Sequence, residues 1–170
     1  EAIEGAIKLV KKVTKKSKII AAKNSYHGST YGSLSLLGRK KQKTGYYPMM
    51  PNVRFIKFNS ITDINKIDKK TAGVVLETIQ GGAGFILPKP GYLKKIKKQC
   101  EKVGALLILD ETQPGFGRTG HFFAFENYNI SPDVIVMGKG MGGGLPIGAF
   151  TSKKIYMKLF EKNPRLGHIT

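Results

Sequence analysis

The chain has 170 residues, 41% of them hydrophobic, which is enough for one domain with a sizeable core. No apolar run approaches the ~18 residues of a membrane-spanning helix, and the single cysteine, Cys100, excludes an internal disulfide and points to a reducing, cytoplasmic setting. The net charge of +18 would suit a nucleic-acid partner, but it is carried by lysines interleaved with apolar positions, as in 8–12 and 94–98. Arginine, the usual base reader, occurs only at Arg39, Arg54, Arg118 and Arg165, so solvated helix faces are expected rather than a nucleic-acid site.

In chain order, Ile3, Ala6, Ile7, Val10 and Val13 recur with helical period and predict a helix over residues 1 to about 16. Residues 18–22, Lys-Ile-Ile-Ala-Ala, read as a short buried strand, followed by a loop at 24–29 and a second helical stretch from Ser29 or Thr30 to Gly38. Residues 53–58 alternate as a strand, and Thr62-Asp63 opens a helix to about Lys69. Residues 71–77 form a strand whose apolar positions are consecutive, as in a sheet covered on both faces. Pro90-Gly91 opens a helix to Val103 that Gly104 stops. Strands follow at 105–110, 134–137 and 147–151, and Ser152 caps a last helix to about Glu161.

Strands therefore alternate with helices, which predicts an α/β fold with a mostly parallel sheet sandwiched by helices. Helix-like sequence begins at Glu1 without a capping residue, and nothing terminates the chain after Thr170, so the sequence reads as a fragment of a larger protein. No repeat or linker interrupts it.

Ligands of such sheets sit at the carboxyl ends of the strands. Three such ends carry chemistry: Glu77, Asp110 and Lys139. Lys139 follows an apolar strand and a glycine and precedes a glycine cluster, so a planar group could approach the backbone closely. A lysine desolvated there would have a free lone pair for imine formation with an aldehyde. Asp110 is either a buried structural acid or, taken with Lys139, the second pole of a pyridoxal 5'-phosphate site, where a carboxylate holds the ring nitrogen protonated. Gln113 stands within a turn of Asp110 and could donate to a phenolic oxygen of the same ring. Tyr26 offers a loop aromatic, either stacked on a flat ring or partly buried in the loop. His27 reads as a packed or hydrogen-bonded structural histidine rather than a general base. Residues 117–120, Gly-Arg-Thr-Gly, are not a Walker loop, since no strand leads in and no lysine follows.

The strings Leu-Glu-Thr-Ile-Gln-Gly (76–81), Leu-Asp-Glu-Thr-Gln (109–113), Gly-Phe-Gly-Arg-Thr-Gly (115–120), Gly-Lys-Gly-Met-Gly-Gly-Gly (138–144) and Gly-His-Ile-Thr (167–170) together resemble the class III aminotransferases of fold type I, across essentially the whole chain. The resemblance implies the pyridoxal-phosphate-binding large domain, with the N-terminal segment and C-terminal small domain lying outside the sequence. It implies Lys139 as the lysine that carries the cofactor and shuttles a proton, Asp110 as the partner of the ring nitrogen, Gln113 as donor to the ring oxygen, Tyr26 as the stacking aromatic and Glu77 as a cofactor-side glutamate. The family's phosphate-binding turn would fall immediately before Glu1. Thr170 matches the first of a threonine pair that reaches a neighbouring subunit's phosphate, the second being the ligand. A homodimer is implied, with small-molecule partners: an amino donor, acetylornithine-like as a first choice, and a 2-oxo acid, 2-oxoglutarate.

Two positions depart from the acetylornithine and ornithine pattern. Ser29 stands where an arginine grips the substrate carboxylate, and Gly82 stands where many ω-aminotransferases place a glutamate that pairs with a switching arginine. A racemase, aminomutase or decarboxylase on the same scaffold, or a catalytically incomplete piece with a binding role, are the alternative readings.

Overall fold

The structure, a computed structural model, describes residues 1–162. Six strands form one sheet in the order β2-β1-β3-β4-β5-β6. They are β1 (Lys18–Ala22), β2 (Val53–Ile56), β3 (Thr71–Glu77), β4 (Leu106–Asp110), β5 (Val134–Met137) and β6 (Ala149–Ser152). The first five run parallel and β6 returns antiparallel along β5. The connection 138–148 is shorter than the roughly dozen residues that a parallel crossover needs, so the chain can only fold back.

Helices cover both faces, as the consecutive apolar strands require. On one face α1 (Ala2–Thr14) sets Ile3, Ile7 and Val10 against Ile19, Ala21, Val75, Ile108 and Val136, with α4 (Lys154–Lys162) packed at the edge. On the other, α3 (Tyr92–Val103) sets Tyr92, Leu93, Ile96 and Cys100 against Ile20, Val74, Leu76, Leu107 and Leu109. Successive strand residues thus enter opposite cores, with each fully buried aliphatic side chain contributing about 1.5–3 kcal/mol. The lysines of α1 and α3 lie outside these cores: Lys8, Lys12, Lys94, Lys95 and Lys98 are exposed.

The two long helices are joined at their ends. Gly104 adopts a left-handed φ of 66° to close α3, and Lys16 Nζ donates to the carbonyls of Val103 (2.6 Å) and Gly104 (2.7 Å), a cation at the negative end of the helix. At the other end of α1, Glu4 Oε1 accepts from the Thr30 hydroxyl (2.5 Å) and the Ser33 N–H (3.0 Å), which ties α1 to the short α2 (Tyr31–Ser35).

Three expectations need correction. The helical stretch predicted to Gly38 ends at Ser35, because the chain bends so that Gly38 N–H reaches Ser25 O (3.2 Å). The helix predicted over 62–69 is a five-residue 3-10 helix, Thr62–Lys66; Asp68 turns away to pair with Lys18 at 2.7 Å where the chain enters β3. Ser152 ends β6 rather than capping a helix, and its hydroxyl donates to Asp133 O at 2.6 Å. Among the described residues, no helix is long and apolar enough to cross a membrane.

Candidate functional site

A cavity of about 400 Å³ opens at the carboxyl ends of β3, β4 and β5. Its walls include Tyr26, Glu77, Asp110, Gln113 and Lys139, so five of the six residues singled out from the sequence face one space. Thr170, the sixth, lies outside the described residues. The convergence follows from register. Glu77 pairs with Asp110 across β3 and β4, Asp110 pairs with Val136 across β4 and β5, and Val136 also lines the cavity.

Asp110 is 4% exposed and its carboxylate is held at both oxygens. Oδ2 lies 2.8 Å from His27 Nδ1, and Oδ1 accepts the Thr112 N–H at 3.0 Å. Burial opposes ionisation of the acid, but the His27 hydrogen bond and charge, with the contribution of Thr112, outweigh it and hold the carboxyl below the usual carboxylate range. The cavity thus contains a carboxylate kept ionised while almost fully buried.

Glu77 ties the surrounding loops together. Oε2 accepts the Tyr26 N–H and Oε1 the Gly81 N–H, both at 3.1 Å. Burial raises its pKa, only partly offset by His27 and the two N–H donors. Tyr26, held at its backbone N–H, is 48% exposed at the cavity wall and so is not a buried loop aromatic. Glu111, beside Asp110, turns the other way. It accepts from the Thr78 hydroxyl (2.5 Å) and from the N–H groups of Ala124 (2.8 Å) and Phe125 (3.1 Å), and so anchors the loop that follows Gln113.

Lys139 takes a left-handed φ of 45° two residues beyond β5, in a 3-10 turn spanning Lys139–Gly142. Here the sequence reading is corrected. The sequence placed the amine at the strand end, where it could be desolvated; the lysine lies instead in the turn beyond β5 and is exposed at the cavity wall.

Three features of the site were not foreseen. The partner of Asp110 is His27, whose ring is fully buried; a polar residue directly after the loop aromatic was the available signal. Val136 forms part of the wall, as its pairing with Asp110 could have indicated. Glu1 and the first residues of α1, Ala2 and Ile3, also line the cavity.

The donor set fits pyridoxal phosphate. A primary amine matches its aldehyde, an ionised carboxylate its protonated ring nitrogen, an amide its phenolic oxygen, and an aromatic face its ring. The cavity volume lies within the range of small-molecule sites, about 300–1,000 Å³.

A second hollow is lined by Tyr26, Ser29, Tyr31, Leu34, Leu37, Gln42 and Tyr46, so Tyr26 stands between the two. Ser29 is exposed there, and the carbonyl of Gly82 accepts a hydrogen bond from the Arg39 guanidinium.

Residues 1–167 match the family model of Aminotransferase class-III. The chain is 46% identical over 149 residues to the [LysW]-aminoadipate semialdehyde/glutamate semialdehyde transaminase of Sulfurisphaera tokodaii, covering 88% of this chain and 38% of that protein. It is 42% identical over 160 residues to the acetylornithine aminotransferase of Aquifex aeolicus, covering 91% and 43%. The taurine:2-oxoglutarate aminotransferase of Bifidobacterium kashiwanohense, solved in complex with pyridoxal phosphate and glutamate, superposes with a TM-score of 0.85 at 29% identity, over 95% of this chain and 42% of that one. The chain thus spans about two fifths of the length of the relatives it matches.

Proposed function

The chain belongs to the class III aminotransferases, and from that premise we propose that it forms part of the large domain of a pyridoxal-phosphate-dependent enzyme acting in the cytoplasm. The enzyme moves the amino group of an amino acid or ω-amine to a 2-oxo acid. 2-Oxoglutarate is the proposed acceptor, consistent with the name of the Bifidobacterium neighbour. An acetylornithine-like or semialdehyde-derived donor is consistent with the names of the two relatives. The observation that carries this reading is that Asp110, buried and held ionised, and the amine-bearing Lys139 line one cavity.

When bound, pyridoxal phosphate supplies an aldehyde and a protonated pyridine ring that together draw electrons away from the donor's amine-bearing carbon. The chain's own residues do the rest. Lys139 would supply the amine that holds the aldehyde and, when free, would carry the proton from the donor's amine-bearing carbon to the cofactor's aldehyde carbon. Asp110 keeps the proton on the ring nitrogen, a charged hydrogen bond worth about 1.5–3 kcal/mol. Gln113 donates to the ring oxygen, and Tyr26 covers one ring face. Glu77 holds Tyr26 and the turn at Gly81 in place around them.

Ser29 cannot grip a carboxylate as an arginine does, so recognition of the donor's distal end falls to other groups around Tyr26. We further propose that the enzyme is a homodimer in which the region of Thr170 reaches the phosphate of the neighbouring subunit.

The test is Lys139→Ala in the full-length protein, assayed against a panel of amino donors with 2-oxoglutarate. Wild type is expected to release keto acid in step with amine consumed and to show the visible absorbance of bound cofactor. The variant should lose that absorbance and fall below about one-thousandth of the wild-type rate. Multiple turnover retained by the variant refutes the assignment of Lys139. Amine consumption without stoichiometric keto acid refutes transamination.

A further inference from the structure

We propose that His27 is a positioning residue for Asp110, holding its carboxylate in place at the cavity through the Nδ1–H bond. The inference rests on the functional reading above and extends it to a group outside the predicted cofactor contacts.

Three observations carry it. The imidazole is fully buried, its side chain 0% exposed, and its Nδ1 lies 2.8 Å from Asp110 Oδ2. An ionised carboxylate can only accept, so Nδ1 carries the hydrogen and donates it. Nε2 is buried and, among the described residues, has no hydrogen-bond partner. Among the described residues the ring's hydrogen bonding is directed at Asp110.

A buried polar ring carries a desolvation penalty that an aliphatic side chain of similar bulk avoids. Space-filling alone does not account for it. The bond has a function because Asp110 sits in surroundings that oppose its charge, and His27 provides the largest opposing influence. Glu77 and Lys139 line the same cavity, and Glu77 feels the His27 charge as well. With His27 removed, burial acts on Asp110 with only Thr112 to offset it, and the carboxyl titrates at higher pH. The Thr112 N–H bonds to Oδ1 alone and would leave Oδ2 free to turn.

The test compares His27→Leu, His27→Asn and His27→Gln in the full-length protein. The affinity for pyridoxal phosphate is measured from its visible absorbance across pH, with thermal unfolding as the check on folding. The Asn amide nitrogen can take the place of Nδ1, whereas the longer Gln side chain carries its amide to where Nε2 stood. His27→Leu is expected to bind the cofactor about tenfold more weakly or worse near neutral pH. Its affinity should begin to fall on acidification about one pH unit earlier. His27→Asn should recover both to within about threefold, and His27→Gln should not. Should the Leu variant fail to fold, the Asn and Gln pair decides alone. Equal losses in Asn and Gln with an unmoved acid limb would mean the ring only fills space, and overturn the proposal while leaving the functional reading intact. Wild-type protein that binds no pyridoxal phosphate overturns both.

Discussion

Glu77 and Asp110 stand side by side at the ends of β3 and β4, and the protein shifts their two carboxyls in opposite directions. Both are buried. Asp110 has the imidazole of His27 against one oxygen, which more than offsets burial. Glu77 has only two backbone N–H donors and the more distant His27 charge, and burial prevails. Raised beside lowered in one cavity wall is the pattern that separates a residue kept charged from one that only organises loops.

The sign of the Glu77 shift gives a stability prediction. A carboxyl raised in the folded state favours folding fully below its unfolded pKa, and that contribution is lost as pH rises through the folded value. The stability of wild type relative to Glu77→Gln should therefore decline as pH rises from about 4.5 toward neutrality. Gln offers one acceptor oxygen in place of two, which adds a constant offset but no slope. Denaturant unfolding of both proteins at several pH values measures the difference, and a flat or rising difference contradicts the assignment. Asp110, lowered and not raised, contributes the opposite slope in both proteins and cancels.

Asp110→Asn removes the charge while keeping the shape. The His27 ring must then face a neutral amide, and the ring nitrogen of the bound cofactor loses its anionic partner. Cofactor should still bind, but turnover should fall by about two orders of magnitude or more, with kcat affected more strongly than KM. Steady-state kinetics at saturating donor check this, and a rate near that of wild type removes Asp110 from the mechanism.

Much of the fold could be read from the sequence because its parallel strands are buried on both faces. Runs such as 18–22, 71–77 and 134–137 have no fully exposed position to confuse the pattern, and their observed bounds match those expected. Elements whose form depends on distant partners could not be read. The stretch 62–69 shortens because Asp68 is drawn to Lys18, fifty positions away in the chain, and the end of α2 is decided by how closely Gly38 approaches residues 22–25. At the site, strand ends pointed to Asp110, Glu77 and Lys139, since a parallel sheet collects its carboxyl ends on one side. The bond from His27 to Asp110 joins residues 83 apart, so the polar residue after Tyr26 could be noticed in the sequence but its partner could not be named. The exposure of Lys139 was misjudged because the strand before it is buried while the glycine turn that holds it is not.

Gly38 should tolerate no side chain. A Cβ there would lie 2.1 Å from Asn24 N and 2.6 Å from Ala22 O, both backbone atoms that cannot swing aside. Gly38→Ala is expected to destabilise by about 3 kcal/mol or to prevent folding, through separation of the α2 region from the end of β1. Gly82→Ala is the matched control, since its Cβ would meet only Tyr26 Cβ at 3.6 Å, an ordinary contact. Chemical denaturation of the two variants gives the comparison, and equal stabilities would remove the steric argument.

Gly81 gives a test of the cavity itself, separable from stability. A Cβ at Gly81 would lie 2.1 Å from Gln113 Oε1. The obstructed atom is the end of a flexible side chain, so the amide can rotate away at a cost of less than about 1 kcal/mol in folding. What is lost is the amide's place in the cavity wall, where it is proposed to donate to the cofactor. Gly81→Ala should therefore weaken pyridoxal phosphate binding by about tenfold while the unfolding midpoint barely moves. Gln113→Ala should weaken it to a similar degree. The double variant should be little worse than either alone, because both changes remove one interaction. Additive losses would show that Gly81 acts on the cofactor by another route, most directly through the N–H that it donates to Glu77.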